Sequence, residues 1–294
     1  MGRTRSSSSL TTAKIFRFIS PPSNFLPCQE FLPILQSFDE ITIDKDIPLI
    51  SKEDLLELIE QIEVNKGKKE PRLASLYASL AKIYNLRLLY RSPLADYRQE
   101  QDLAIEYYQK AIDLQKELNL ELDLVASLDS LAGIYYSLGE DQKAIEFYQQ
   151  SLAIFQEIDD IKGVAYCYNN LGNIYNYLGE YQKAIEFHQQ SLAIKREISD
   201  ITGEAYSYLG LGNVYGSLGE YQKAIEFYQQ SLAIFQEMEY IIGEPKTLFN
   251  LGLTYYKLDR ISEAKEAYLQ GRKLFQALGL AGYVQYCDQA IRQL

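Results

Sequence analysis

Residues 219–236 read GEYQKAIEFYQQSLAIFQ, and nearly the same string occurs twice earlier, as GEDQKAIEFYQQSLAIFQ at 139–156 and GEYQKAIEFHQQSLAIKR at 179–196. The first copy departs from the third only at Asp141, where the third has Tyr221. The second departs from the third only at His188, Lys195 and Arg196. Successive copies start 40 residues apart. A chain that repeats at such an interval builds a stacked array, because one unit cannot bury its apolar face alone and lays it against the next.

The stretch before each copy supplies a first helix. In 164–178, VAYCYNNLGNIYNYL, the residues Ala165, Tyr168, Leu171, Gly172 and Tyr175 recur at steps of three and four and form one stripe. Gly179 suits the left-handed residue that ends a helix. Glu180 opens the next helix, where an acid meets the positive end of the dipole. There Ala184, Ile185, Phe187, His188, Leu192 and Ile194 make a wider buried face. So short a link makes the two helices antiparallel neighbours, and Ile198 to Gly203 turns the chain into the following unit.

The set Tyr168, Leu171, Gly172, Tyr175, Ala184 and His188 resembles the tetratricopeptide repeat, whose signature is an aromatic residue, Leu-Gly, Tyr, then Ala and a second aromatic. It recurs as Tyr208, Leu211, Gly212, Tyr215, Ala224 and Tyr228, and as Leu248, Leu251, Gly252, Tyr255, Ala264 and Tyr268. An earlier copy is Leu128, Leu131, Ala132, Tyr135, Ala144 and Tyr148, and a divergent first one is Tyr77, Leu80, Ala81, Tyr84, Ala104 and Tyr108. The first copy carries an insertion around Pro93. A 40-residue period without the family's closing proline is similar to the extended repeats of kinesin light chain and the spindle-orientation adaptors. The resemblance implies an all-α fold: a right-handed α-solenoid superhelix of five antiparallel helix pairs, at about 70–118, 121–158, 161–198, 201–238 and 241–279. Close packing is expected to set Gly172 against Ala184 and to place Tyr168 and Tyr175 between adjacent units. Ser51 and Asp54 resemble a capping box that opens an N-terminal capping helix within 51–69. The stripe Tyr283, Val284, Cys287, Ala290, Ile291 and Leu294 is expected to form a C-terminal capping helix within 281–294.

The chain has 294 residues, 47% of them hydrophobic, which is ample for a core, and its apolar runs are too short to span a bilayer. Its charge is 29 − 40 = −11, which argues against reading nucleic acid and against binding a membrane. Residues 1–29 carry Arg3, Arg5, Lys14 and Arg17 and no acid, so the remainder carries 25 − 40 = −15. This serine- and arginine-rich start fits either an organellar transit segment or a loose tail, and residues 1–50 are expected to lie outside the array. The expected compartment is the cytoplasm, or an organelle if residues 1–29 are a transit peptide. Cys28, Cys167 and Cys287 lie far apart and form no disulfide framework or zinc spacing.

Little in the sequence suggests catalysis. His188, the one histidine, takes the slot that Tyr148 and Tyr228 hold in sister repeats and is expected to pack there. The glycines of GLGNVYG at 210–216 fall inside a helix with no strand before them, and no phosphate loop is present. Lys183, Glu186 and Gln190 are expected on a solvated face. No catalytic residue, metal or cofactor is assigned.

In the resembled adaptors, asparagines around the Leu-Gly pair hold a partner's main chain. The matching residues here are Asn170, Asn173, Asn213 and Asn250, and an amide can donate to and accept from a peptide unit at once. The competing role for these amides is to tie neighbouring helices together. Asn169, Asn176, Tyr166, Tyr177, Tyr206, Lys246 and Lys257 are expected on the same face. The basic clamp for a C-terminal carboxylate is not evident. The expected function is a non-catalytic scaffold or adaptor that binds a protein or peptide in a concave groove, with a neutral or basic partner favoured by the acidic body. The alternatives are a structural, self-associating spacer and a regulatory ligand-sensing subunit.

Overall fold

The computed structural model describes residues 52–90, 98–238, 240 and 243–294. The N-terminal tail with Cys28, the capping residue Ser51 and the insertion at Pro93 lie outside the described residues. Among the described residues there are twelve helices and no strand, an all-α repeat solenoid. The helices are α1 (Lys52–Lys66), α2 (Pro71–Tyr90), α3 (Arg98–Glu117), α4 (Glu121–Ser137), α5 (Asp141–Glu157) and α6 (Ile161–Tyr177). There follow α7 (Tyr181–Glu197), α8 (Ile201–Ser217), α9 (Tyr221–Glu237), α10 (Glu244–Lys257), α11 (Ile261–Ala277) and α12 (Ala281–Arg292).

The helices fall into two compact units, divided between Asp160 and Ile161. In the first, α1 packs on α2, α2 pairs with α3, and α4 pairs with α5. In the second, α6 pairs with α7, α8 with α9 and α10 with α11, and α12 closes the end against α11. Within this second unit α6 also touches α8, and α8 touches α10, whereas no comparable packing joins α7 to α9 or α9 to α11. First helices therefore crowd together on one side while second helices fan apart, so the first helices line the inner side of the unit.

The turns explain why each helix stops. After α6, Gly179 adopts φ +75°, a conformation glycine takes without a side-chain penalty. Its amide donates to the carbonyl of Asn176 at 3.1 Å and that of Glu180 to Tyr175 at 2.9 Å, the paired bonds of a Schellman ending. The turn after α8 repeats these bonds at Gly219 and Glu220. After α10 the same slot holds Asp259 at φ 58°.

At the close helix crossing, a methyl group on Gly172 would meet the ring of His188 first, 2.9 Å from Cδ2. Gly212 meets the Tyr228 ring and Gly252 the Tyr268 ring in the same way, at 2.6 and 2.7 Å. The glycine is thus a socket for the ring of the second helix, and Ala224 lies near Gly216, at 3.9 Å. Tyr168 and Tyr175 both hold Phe187 of their own pair, with ring centroids 5.8 and 5.4 Å apart, and Tyr208 and Tyr215 hold Phe227 likewise at 6.1 and 5.3 Å. The reason is helical spacing: residues seven apart lie on one face two turns apart, far enough to bracket a ring from the antiparallel partner. Tyr208, at the slot of Tyr168, also packs between units, in one cluster with Leu192 and Ile185 of α7.

Candidate functional site

The second unit contains a polar seam where α7 meets α6 and α8. His188 is fully buried, with Nδ1 3.3 Å from Oδ1 of Asn169. Burial, aided by the charge of Lys195, pushes its pKa down to about 3, so the ring is neutral at physiological pH. The tautomer with the proton on Nδ1 matches the amide oxygen beside it. Ser191 donates to the Ala165 carbonyl at 2.7 Å, and Ser207 donates to Ser191 at 3.2 Å. Lys195 is only 3% exposed. Burial lowers its pKa to about 8, while Asp200 acts the other way. In sister repeats this slot holds Phe155 and Phe235.

The inner face of the unit is different in kind. Asn213 joins two helices: its Oδ1 accepts from the Tyr228 hydroxyl at 2.9 Å and from Nδ2 of Asn250 at 2.8 Å. Asn173, Asn176, Asn213, Asn250, Tyr166 and Lys246 are half-buried, and Tyr177 and Lys257 are exposed. Three expected face residues turn inward instead. Asn169 and Asn170 are 4% and 3% exposed, and Tyr206 is 7% exposed, packed on Phe235 and Tyr240. The physical reason is the wheel of the helix. Positions on the flank of the stripe are covered, Asn169 by His188 of α7 and Tyr206 by Phe235 of α9 and by Tyr240, and only the crest stays open. Leu253 and Tyr256, absent from the expected set, stand on that crest at 44% and 36% exposure.

The edge where first helix turns into second neutralises itself. Lys183 pairs with Glu180 and Lys223 with Glu220, each at 2.5 Å, and each ammonium lies 5.0 Å from a tyrosine ring, Tyr175 or Tyr215. Arg260 pairs with Glu263 at 2.6 Å and covers Tyr255. At the opposite edge, where α7 turns into α8, Arg196 bonds Glu204 at 2.8 Å and also reaches the Tyr208 hydroxyl. Lys183, Glu186 and Gln190 are exposed. Among the described residues no three His, Cys, Asp or Glu side chains gather as a metal site, and no helix is long and apolar enough to cross a membrane.

Models of the tetratricopeptide repeat match residues 94–157, 163–237 and 245–274, more than half of the 294-residue chain. The chain belongs to the tetratricopeptide repeat family. Among curated proteins none matches its sequence. Solved tetratricopeptide-type structures share the fold at low identity. BtubC from P. vanneervenii is 22% identical, with TM-score 0.58 over 78% of this chain and 89% of that one. Rap protein, solved in complex with Competence and Sporulation Factor, is 19% identical, with TM-score 0.64 over 88% and 68%. A putative kinesin light chain from P. anserina with nearly identical repeats is 23% identical, with TM-score 0.53 over 70% and 95%.

Within this tetratricopeptide repeat chain the polar seam is a local departure from its own consensus. The signal for Lys195 was present in the comparison of copies, where a lysine replaces phenylalanine at a core slot. Its meaning depends on Gly203, where a methyl would lie 2.9 Å from Cδ of Lys195, as one on Gly243 would lie 2.6 Å from Cε1 of Phe235. The aliphatic stem of Lys195 fills the space its sisters give to a ring.

Proposed function

We propose that the chain is a non-catalytic protein-binding scaffold that holds a peptide segment along the first helices of its second unit. The observation that carries this reading is the contrast between the two sides. The first-helix crest leaves Tyr177, Leu253 and Tyr256 open to solvent, whereas the turn edge spends its charges on local pairs. Exposed rings and amides that converge on one face are the anchors a peptide needs. Asn173 and the edge of the Asn213–Asn250 bridge lie beside these anchors and supply main-chain partners, while Asn169, Asn170 and Tyr206 serve the packing beneath. The solved complex of Rap protein with Competence and Sporulation Factor lends the reading support by analogy of fold.

The test is site-specific photo-crosslinking in the cell of origin. A benzophenone side chain at Asn173 or Ser217, on first helices, is compared with one at Gln190, on a second helix. The expected result is a discrete adduct from the first two positions only. Adducts formed from Gln190 alone, or from none of the three, would overturn the proposal.

A further inference from the structure

The acidity of the chain is not evenly spread. Ile161–Leu294 holds 12 basic and 14 acidic residues, a net of −2, so residues 30–160 carry −13 of the −15. Within the second unit the first helices go further. Along α6, α8 and α10 there are three lysines, Lys162, Lys246 and Lys257, and two acids, Glu204 and Glu244. Both acids are engaged by second helices: Glu204 by Arg196 at 2.8 Å, and Glu244 as acceptor from Nε2 of Gln236 at 2.9 Å. Among the described residues no acid lies within ion-pair distance of Lys246 or Lys257. The inner face of this unit is therefore positive where it is open, opposite to the sign of the whole chain. A basic partner, which the overall charge favours, would be repelled here.

The lysines are also in register. Lys246, Asn250, Leu253 and Lys257 follow at intervals of four, three and four on α10, one stripe of a helix. Eleven residues at 1.5 Å each put the two lysines roughly 16 Å apart along the axis. An extended chain covers that distance in about five residues at 3.3 Å each. Between the lysines lie Leu253 and Tyr256, 44% and 36% exposed.

We propose that the α10 stripe seats an extended acidic segment, with carboxylates about five residues apart on Lys246 and Lys257 and an apolar side chain between them on Leu253 and Tyr256. This rests on the peptide-binding reading above and names the chemistry of the partner. The charge match steers encounter and fixes register, and the apolar contact supplies the dry centre.

The probe is a phage-displayed library of random dodecamers panned against the full chain. The selected peptides are then titrated by fluorescence anisotropy. The expected winners carry two acids about five positions apart with an apolar residue between. The double substitution Lys246→Glu, Lys257→Glu is expected to weaken them about tenfold, the size of two lost surface pairs made repulsive. The double substitution to Arg retains binding, and added salt weakens it. Far-ultraviolet circular dichroism establishes that both variants keep their helices. Winners that are basic or uncharged, or that bind the Glu variant unchanged, overturn the inference. If such winners still lose affinity on Tyr177→Ala, the first-helix groove stands and only its acidic partner falls. If no peptide enriches above an unrelated control protein, both fall.

Discussion

The imidazole of His188 lies against the bare backbone of Gly210, where a methyl group would meet Nδ1 at 2.5 Å. Gly172 approaches the same ring from α6, so one side chain of α7 is gripped by two first helices. Cores as tight as this have no slack for an added carbon. Gly210→Ala is expected to lower unfolding stability by about 2 kcal/mol, the usual scale of overpacking. Urea denaturation monitored by circular dichroism measures it. Combining the change with His188→Ala recovers part of the loss through the coupling of touching residues. Strictly additive losses would show that the two residues do not share this contact.

Lys195 makes the seam sensitive to pH. Its folded pKa of about 8 lies below the ordinary 10.5 because of burial. The unfolded chain therefore binds more protons between these values, and stability rises as pH rises through that window. Between pH ~7 and ~9 the gain is on the order of 1 kcal/mol. Lys195→Phe, which restores the residue of the sister repeats, is expected to stabilise the chain at neutral pH and to flatten this rise. Denaturation midpoints of both proteins across that interval decide it.

How much of this was legible in the sequence follows from what a periodic string encodes. The interval and the steps of three and four define which residues share a stripe, so the helices and the buried slots of Tyr228 and His188 could be read directly. Contact between stripes is set by the approach of one helix to another, which no single stripe records. For that reason the seating of the His188 ring against Gly172 does not follow from either stripe alone. Asn169 and Asn170 raise the same difficulty. They stand about 100° apart on the wheel, yet both are buried, Asn169 beside the His188 ring of α7. The exposure of Leu253 and Tyr256 was hidden for the opposite reason, since apolar residues in a repeat read as core.

Asp129, in the first unit, occupies the slot that Asn169 holds in the second. Its Oδ1 is buried without a hydrogen bond among the described residues, and burial pushes the carboxyl up to about 7, with Ser151 acting in the opposite sense. The folded state thus holds its proton more tightly than the unfolded chain, and stability falls as pH rises from about 4 toward 7. Asp129→Asn removes this titration while keeping the shape. The variant is expected to be more stable at pH ~7 by about 1–3 kcal/mol, the cost of an unsatisfied buried group, with the advantage vanishing near pH ~4. Thermal unfolding over that range checks both the size and the sign. An advantage independent of pH would assign the effect to packing.

The bracing and binding roles of the asparagines separate at Asn213 and Asn173. Removing the Asn213 side chain strands the Tyr228 hydroxyl and the Asn250 amide, which now share its oxygen. Leaving such partly buried donors unsatisfied costs about 1–3 kcal/mol. Asn173 is half-buried on the crest, and its replacement by alanine is expected to change stability by less than about 0.5 kcal/mol, as for most surface positions. Affinity for a selected peptide should follow another order. Asn173→Ala is expected to weaken binding without destabilising the fold, whereas Asn213→Ala weakens both. Calorimetric titration beside urea denaturation of the same two variants gives the comparison. If Asn173→Ala leaves affinity untouched while Asn213→Ala lowers it only in proportion to lost stability, the amides brace the helices and the peptide is held by the aromatic crest alone.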